Sequence, residues 1–362
     1  MHLKQLKMKE KYQRRLRNVL ISLTIICLTP LAEKGRMLSG AHYANAFSGK
    51  DIVCAIDLGN DMYGGHGLET GLNYELIRKF AQDNHCNVKI VIAGKKESYL
   101  DSLMAGKVDI LVTHDMDSLS ENGIDALRQI HECAIWATKG SEENEIHQLN
   151  SWLSHITSSK EYMAMKKRFD GIHNPHRRAE AGVKSTYLSP YDALFKKHAA
   201  ELGWDWRMLA AVVYQESRFS IGSRSFRGAT GLMQVMPQTG KYYGVTDLVD
   251  PEQNILAGTS HLKRLQSLMK KNGIENEELV KFTLAAYNAG EGRIADCRNF
   301  AASRQLDNTC WNEIVNIIPL MREDSILEEE SVKHGKFQGF ETIAYVDSIM
   351  SIYSAFCTIC PV

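Results

Sequence analysis

A single glutamate occupies a position where a helix would normally bury an apolar residue. Leu209, Val212, Val213 and Glu216 are spaced at i, i+3, i+4 and i+7, so one helix face carries all four side chains. Burial disfavours the charged form of a carboxyl group and raises its pKa. A carboxyl group that keeps its proton near neutral pH is suited to general acid catalysis. The alternative is a core glutamate with satisfied hydrogen bonds, or a solvent-exposed residue at a helix end.

Further residues favour the catalytic interpretation over the structural one. Ser217 follows the glutamate directly, and a glycine-led segment at 231–234 ends in an amide side chain. The sequence Ala-Tyr-Asn-Ala-Gly at 286–290 adds a second polar segment that closes on a glycine. The first segment predicts a loop whose glycine lets the backbone approach its neighbours closely, and the second predicts the end of a helix. Both are expected to lie beside the carboxyl group.

Four blocks together resemble the soluble lytic transglycosylase (SLT) domain, a lysozyme-like fold that cleaves peptidoglycan. The blocks are Glu216-Ser217, Gly231-Leu232-Met233-Gln234, Ala286-Tyr287-Asn288-Ala289-Gly290 and Glu341-Thr342-x-x-Tyr345-Val346. Each block alone is a weak signal, but four in family order over roughly the family's domain length are a strong one.

The resemblance implies that Glu216 is the catalytic residue and works without a second carboxylate, a metal or a cofactor. Most glycoside hydrolases use two carboxyl groups, and the four blocks contain no second acid beside Glu216 that recurs in the family. The implied reaction cleaves the β-1,4 bond between N-acetylmuramic acid and N-acetylglucosamine in a glycan strand. Glu216 first acts as acid and then as base, and the product carries a 1,6-anhydro end.

The resemblance also assigns the substrate-binding residues. Ser217 and Gln234 would hydrogen-bond the sugar or its acetamide, and Met233 would form an apolar wall. Tyr287 and Asn288 would line the site, and Tyr345 would hold the Glu216 side chain; Met233, Tyr287 and Tyr345 are alternatively plain core residues. Two other functions stay open: a hydrolase like goose-type lysozyme, and a catalytically silent module that binds or senses peptidoglycan.

The N-terminal segment 1–48 predicts export. A basic stretch precedes an apolar run from Val19 to Leu31, which is short for a transmembrane helix and typical of a signal peptide. Cleavage and retention as a membrane anchor are both open, so we expect a periplasmic protein that is free or associated with the outer membrane. In that compartment Cys297 and Cys310 are expected to pair. The chain has equal numbers of acidic and basic residues (43 each), so its overall charge does not favour binding to nucleic acid.

Residues 51–171 alternate between strand and helix patterns, which predicts a parallel sheet covered by helices. The predicted strands are Ile52–Ile56, Val88–Ile92, Val108–Val112 and Cys133–Ala137. This region resembles one lobe of a periplasmic solute-binding protein, as found in the membrane-bound lytic murein transglycosylase F group. Most of a second lobe is missing and residues 114–126 contain no arginine to clamp a carboxylate. We therefore expect a truncated lobe without an amino-acid ligand.

The rest of the chain divides into a linker and a helical domain. Residues 172–188 are polar and basic and predict a solvated linker. Residues 189–357 follow helical patterns throughout and correspond to the SLT catalytic domain. The predicted fold class is therefore α+β and multidomain, with an α/β lobe of the binding-protein type followed by an all-α lysozyme-like domain.

Overall fold

The structure is a computed structural model that describes residues 45–58, 66–92, 98–122, 124, 126–130, 134–139, 143–169, 174–337 and 339–361. The predicted signal peptide or anchor therefore lies outside the described residues except for its last four positions, 45–48. Among the described residues there are five strands and fifteen α-helices.

The first half of the described chain contains all the strands. In chain order the elements are β1 Asp51–Asp57, α1 His66–Asp83, β2 Asn87–Ile92, α2 Tyr99–Met104, β3 Ile110–Thr113, α3 Met116–Glu121, β4 Ala126–Ile130, β5 Ala134–Ala137, α4 Glu143–Thr157 and α5 Lys160–Phe169.

The second half is helical. Its elements are α6 Pro175–Glu180, α7 Asp192–Leu202, α8 Trp206–Ser217, α9 Pro237–Tyr242, α10 Pro251–Lys271, α11 Asn276–Ala289, α12 Glu291–Ser303, α13 Trp311–Ile317, a 3₁₀ turn Ile318–Arg322, α14 Asp324–Leu327 and α15 Phe340–Ile359.

The sheet is mixed, which corrects the prediction of a parallel sheet. Its strand order is β2-β1-β3-β5-β4; β1 is parallel to β2 and β3, whereas β5 is antiparallel to both β3 and β4. Only residues 131–133 separate β4 from β5, and a connection that short joins antiparallel strands. The sequence analysis assigned the region before β5 to no strand and so missed β4. The other strands lie at their predicted positions, although β3 begins at Ile110 rather than at Val108.

Helix α8 is the central element of the helical half. Nine of its residues are buried, and it packs against α7 and α15. The side chain of Asp205 caps its first turn by accepting a hydrogen bond from the Arg207 N–H (2.9 Å). The helix ends at Ser217 because Arg218 adopts a left-handed conformation (φ 54°). The helix thus contains the four residues that the sequence places on one face, Leu209, Val212, Val213 and Glu216.

The predicted linker contains a helix. Asn174 caps α6 through the Arg177 N–H (3.0 Å), and α6 packs against α15. Leu188, further along the same segment, is fully buried. Residues 174–188 are therefore part of the folded body, because α6 and Leu188 cover apolar surface that a solvated linker would leave open.

The sheet-containing half and the helical half share one buried core. Gly71 of α1 lies against Phe169 and Tyr191; a Cβ atom at this position would be 2.6 Å from the Phe169 ring and 2.7 Å from the Tyr191 hydroxyl. Asp250, which caps α10, accepts hydrogen bonds from Tyr74 (3.1 Å) and Arg78 (2.7 Å) of α1. A close apolar contact and a polar contact thus join the two halves.

Helix α15 and the cysteines complete the fold. Among the described residues, α15 is the one helix long and apolar enough to cross a membrane by length and composition, but it packs on α8, α6 and α11 inside the folded body. Cys297 lies within α12 and Cys310 precedes α13, and both are free thiols. The expected disulfide between them is therefore not formed in the structure.

Candidate active site

The carboxyl group of Glu216 is half-buried at the C-terminal end of α8. The Tyr345 hydroxyl of α15 donates a hydrogen bond to Oε1 of Glu216 at 2.5 Å. Burial raises the pKa of Glu216 from 4.5 to about 7, and the Tyr345 hydrogen bond opposes this shift by favouring the carboxylate. The neighbouring Arg218 guanidinium lies over the Tyr214 ring at 4.3 Å and is not a cause of the shift. The predicted desolvation of Glu216 therefore agrees with the geometry.

The loop after α8 is fixed to the helix by Ser217. The Ser217 hydroxyl is 1% exposed and donates a hydrogen bond to the Leu232 carbonyl (2.8 Å). A buried hydroxyl in this position cannot contact a sugar in the groove. The structure therefore corrects the predicted sugar contact of Ser217: the residue holds the loop against the catalytic helix.

Asn254 of α10 holds the same loop from the other side. It is fully buried, its Oδ1 accepts from the Met233 N–H (2.8 Å), and its Nδ2 donates to the Thr230 and Leu248 carbonyls (2.9 and 2.8 Å). Gly231 allows this approach, since a Cβ atom there would lie 2.2 Å from Asn254 Nδ2. The sequence analysis missed Asn254, although a polar residue on the buried face of a helix is the same signal that marked Glu216.

Met233 and Gln234 form the end of the loop. Met233 is fully buried and packs on Gly258, where a Cβ atom would meet its sulfur at 2.4 Å. It is therefore a core residue, as the alternative interpretation held, and the predicted apolar wall is corrected. Gln234 is half-buried with φ 47°, and its amide nitrogen donates to the Ser223 and Gly231 carbonyls (both 3.0 Å). Its amide nitrogen thus stabilises the turn.

Helix α11 places two predicted residues beside the carboxyl group. The Tyr287 hydroxyl donates to the Met233 carbonyl (2.8 Å), and its pKa is raised first by burial and then by the negative charge of Glu216. Asn288 is exposed and accepts a hydrogen bond from the Thr342 hydroxyl (2.7 Å). Thr342 thus holds the Asn288 side chain at an exposed position next to Tyr287.

A row of aromatic rings extends from Tyr287. Ring centroids are separated by 5.5 Å between Tyr287 and His261, by 6.2 Å between His261 and Tyr243, and by 4.9 Å between Tyr243 and Tyr242. Tyr242 is 75% exposed. Burial and the nearby Arg264 lower the pKa of His261, so its ring is neutral at pH 7. The row gives one side of the site an apolar surface with hydrogen-bonding edges.

The structure thus brings Glu216, Gln234, Tyr287, Asn288 and Tyr345 together from four parts of the chain, and places Ser217 and Met233 behind them. Among the described residues, no group of three or more His, Cys, Asp or Glu side chains is arranged to hold a metal ion. The arrangement offers one proton-holding carboxyl group, an exposed amide and an aromatic flank.

Residues 193–308 match the family model described as Transglycosylase SLT domain. The match begins in α7 and ends beyond α12, so it includes Glu216 and the loop but not Tyr345. The chain thus contains the class of domain that the four sequence blocks predicted.

The similar curated proteins are membrane-bound lytic murein transglycosylases F. The protein of Shewanella denitrificans is 33% identical over 201 residues, which cover 56% of this chain and 39% of that protein. The protein of Shewanella frigidimarina is 32% identical over 201 residues, 56% of this chain and 40% of the relative. The predicted resemblance of the chain to this group is confirmed, whereas the binding-protein-like lobe at 51–171 stays a prediction. The chain spans about two fifths of the length of these relatives.

Among solved structures, the 70 kDa soluble lytic transglycosylase of Escherichia coli is 18% identical, with a TM-score of 0.36 over 81% of this chain and 46% of that chain. A TM-score this low does not establish a common overall fold.

Proposed function

We propose that this protein is a peptidoglycan lytic transglycosylase in which Glu216 is the only acid–base residue. The observation that carries the proposal is the Glu216 carboxyl group itself, which has a pKa of about 7 and accepts a hydrogen bond from the Tyr345 hydroxyl. Burial raises this pKa, the Tyr345 hydrogen bond opposes the rise, and no second carboxylate contributes to it among the described residues. The SLT match over 193–308 and the names of the similar proteins support the same substrate class.

The proposed reaction consumes no water. Protonated Glu216 donates its proton to the glycosidic oxygen, and the bond from this oxygen to C1 of N-acetylmuramic acid breaks. The acetamide oxygen of the same sugar stabilises the positive charge that develops at C1. The 6-hydroxyl then attacks C1 and transfers its proton to the Glu216 carboxylate, which gives a 1,6-anhydro end and restores the acid. A pKa near 7 suits both steps, since the group must give and take a proton at one pH.

The neighbouring residues have supporting roles in this proposal. Tyr345 fixes the Glu216 rotamer through the 2.5 Å hydrogen bond. Asn288 is oriented by Thr342, so its free amide hydrogens can hydrogen-bond a sugar carbonyl or hydroxyl oxygen. Tyr287 and His261 provide a flank for the face of a sugar ring. Gln234 supplies its amide oxygen, because its nitrogen is used within the turn.

The cellular location follows from the same comparison. The similar proteins are named as membrane-bound, and the basic and apolar N-terminal sequence predicts export. We therefore propose that the protein acts on glycan strands in the periplasm, with membrane association through its N-terminal segment.

The decisive experiment combines product analysis with a substitution. Purified peptidoglycan is digested with the wild-type protein and the products are analysed by mass spectrometry; we expect anhydro ends, whereas a lysozyme-type hydrolase would release reducing ends. Glu216→Gln keeps the size of the side chain but removes its proton transfer, so turnover should fall by about 10²–10⁴-fold or more. Glu216→Asp should also fail, because its carboxyl group is one methylene shorter.

Thermal melts of both variants provide the control for folding. A silent binding module would show no turnover in the wild type and unchanged peptidoglycan binding in every variant. A well-folded Glu216→Gln variant that released anhydro products at the wild-type rate would remove Glu216 from the mechanism.

A further inference from the structure

A basic cleft lies at the opposite end of α8 from Glu216. It has a volume of about 760 Å³, and its walls come from the end of α5, from α6, from the segment between α6 and α7, from α7, from the start of α8 and from the end of the described chain. The residues that line it are Lys167, Arg178, Lys184, Ser185, Thr186, Tyr187, Lys196, Trp206, Cys360 and Pro361. Trp206 and Glu216 are ten residues apart on one helix, which corresponds to about 15 Å. The cleft is therefore separate from the candidate active site.

The charge of the cleft has one sign. Four basic side chains line it, no carboxylate does, and none of the four forms an ion pair within the described part of the chain. Their sequence neighbours behave differently: Arg168 pairs with Glu75 at 2.7 Å and Lys197 with Glu252 at 2.5 Å. Arg168 and Lys197 are thus neutralised by carboxylates, whereas the four cations that line the cleft are not, and together they give it a positive potential.

Two of these cations are held in place before any ligand arrives. The Lys184 ammonium donates to the Thr358 carbonyl at 2.7 Å, which ties it to the end of α15. The Lys196 ammonium lies over the half-buried Trp206 ring at 4.7 Å. Binding groups that are already ordered lose less conformational entropy when they bind, so this arrangement favours affinity.

The wall between these cations is also ordered. The Ser185 N–H donates to the Ile359 carbonyl at 2.8 Å, and the Ser185 hydroxyl donates to the Tyr187 carbonyl at 2.7 Å. The Tyr187 hydroxyl reaches the Lys167 carbonyl at 3.5 Å. The segment that the sequence predicted to be a solvated linker is thus a fixed wall that joins α5, α7 and α15.

We propose that this cleft is a binding site for a small ligand with at least two oxyanion groups, phosphate or carboxylate, and an apolar part that lies on Trp206. The cations provide several point charges for separate oxyanions, and Trp206 with Tyr187 provides the apolar surface. The site is independent of the proposed transglycosylase activity, because no residue of the Glu216 site lines it.

The test uses the full chain and two defined anions. Isothermal titration calorimetry with tripolyphosphate and with tricarballylate, a tricarboxylate, distinguishes a phosphate site from a carboxylate site. We expect one site for at least one of the anions. Its affinity should fall when salt is raised, because salt screens the exposed charges.

A matched pair of double variants locates the site. Lys167→Gln with Lys196→Gln removes two charges that line the cleft; Lys166→Gln with Lys197→Gln removes two charges from the same helices outside it. At about 1 kcal/mol per close charge pair in water, the first variant should lose about tenfold or more in affinity. The second variant should bind almost as the wild type does, and so should Glu216→Gln.

Two results would overturn the proposal. One is the absence of measurable binding of either anion at low salt. The other is an equal loss in both double variants, which would indicate a nonspecific effect of net charge. Melting curves of both variants ensure that a loss of binding does not reflect unfolding.

Discussion

Burial and the Tyr345 hydroxyl shift the pKa of Glu216 in opposite directions. Burial at the end of α8 favours the protonated form, and the Tyr345 hydroxyl favours the carboxylate by donating a hydrogen bond at 2.5 Å. The balance places the pKa of Glu216 at about 7. In the proposed mechanism the free protein needs the protonated form, so activity should decline as pH rises through this value.

The Tyr345→Phe variant tests this balance. It removes the hydrogen bond that stabilises the carboxylate, so the pKa of Glu216 should rise further above 4.5 than in the wild type. The alkaline decline of kcat/KM should then move to higher pH, and the maximal rate should fall because the Glu216 rotamer is less fixed. The measurement is the initial rate of peptidoglycan turnover between pH 5 and 9. This range of about four pH units includes the expected shift of the alkaline decline.

Tyr353→Phe is the matched control for this change. Tyr353 belongs to the same helix, α15, but its hydroxyl donates to Asp205 (3.2 Å) at the other end of α8. Its pH profile should match that of the wild type. An alkaline limb that stays in place or moves to lower pH in Tyr345→Phe would contradict the assigned role of Tyr345.

At the scale of elements, the site depends on a loop clamped between two helices. Ser217 binds the loop from α8, and Asn254 binds it from α10 through two hydrogen bonds, to the Met233 N–H and the Thr230 carbonyl. A third hydrogen bond joins Asn254 to the Leu248 carbonyl in the segment before α10. These contacts fix Met233 and thereby the carbonyl group to which Tyr287 donates. The position of Tyr287 beside Glu216 therefore depends on Asn254, which is itself fully buried.

Asn254→Leu should destabilise the protein and impair the site. The leucine is similar in size, but it leaves the Met233 N–H and the Leu248 carbonyl without their partner, at about 1–3 kcal/mol each, whereas the Thr230 carbonyl keeps the Val235 N–H (3.0 Å). We expect a loss of about 2 kcal/mol or more in the free energy of unfolding, measured by urea denaturation. Asn299→Leu, at an exposed position of α12, should change stability by less than about 0.5 kcal/mol. Equal stability of the two variants would contradict the role of Asn254.

The sequence predicted the elements whose signals are local. The limits of α8 follow from the Asp205 cap and the apolar spacing, and α10 begins at the Asp250 cap, whose side chain accepts from the Gln253 N–H (2.9 Å). The direction of β5 was not predictable in the same way, because it depends on its pairing with β3 and β4. The same holds for Ser217. It follows Glu216 in the sequence, but its side chain points to the Leu232 carbonyl, and this direction depends on the tertiary fold.

At the scale of the whole molecule, the sheet-containing half carries a second concave feature. A cavity of about 400 Å³ lies at the carboxyl ends of β1 and β3. Its described lining includes Asp57, Thr113, His114, Asp115 and Ser118, two carboxylates and no lysine or arginine. Among the described lining residues, the carboxylate of an amino acid would meet two carboxylates and no lysine or arginine.

We therefore predict that this half of the protein does not bind free amino acids. Calorimetric titration of the full chain with a panel of acidic, basic and apolar amino acids should give no saturable heat. Saturable micromolar binding of any amino acid would refute the prediction.

The contact of Gly71 with Phe169 and Tyr191 has a thermodynamic consequence. Since the core is continuous across this contact, neither half can unfold without exposing apolar surface of the other. Heating should therefore produce one calorimetric transition whose van't Hoff enthalpy equals its calorimetric enthalpy. In Gly71→Val the added side chain would separate the two surfaces, and the single heat-absorption peak should divide into two. The molecule would then melt as two bodies, although its chain carries only one changed residue.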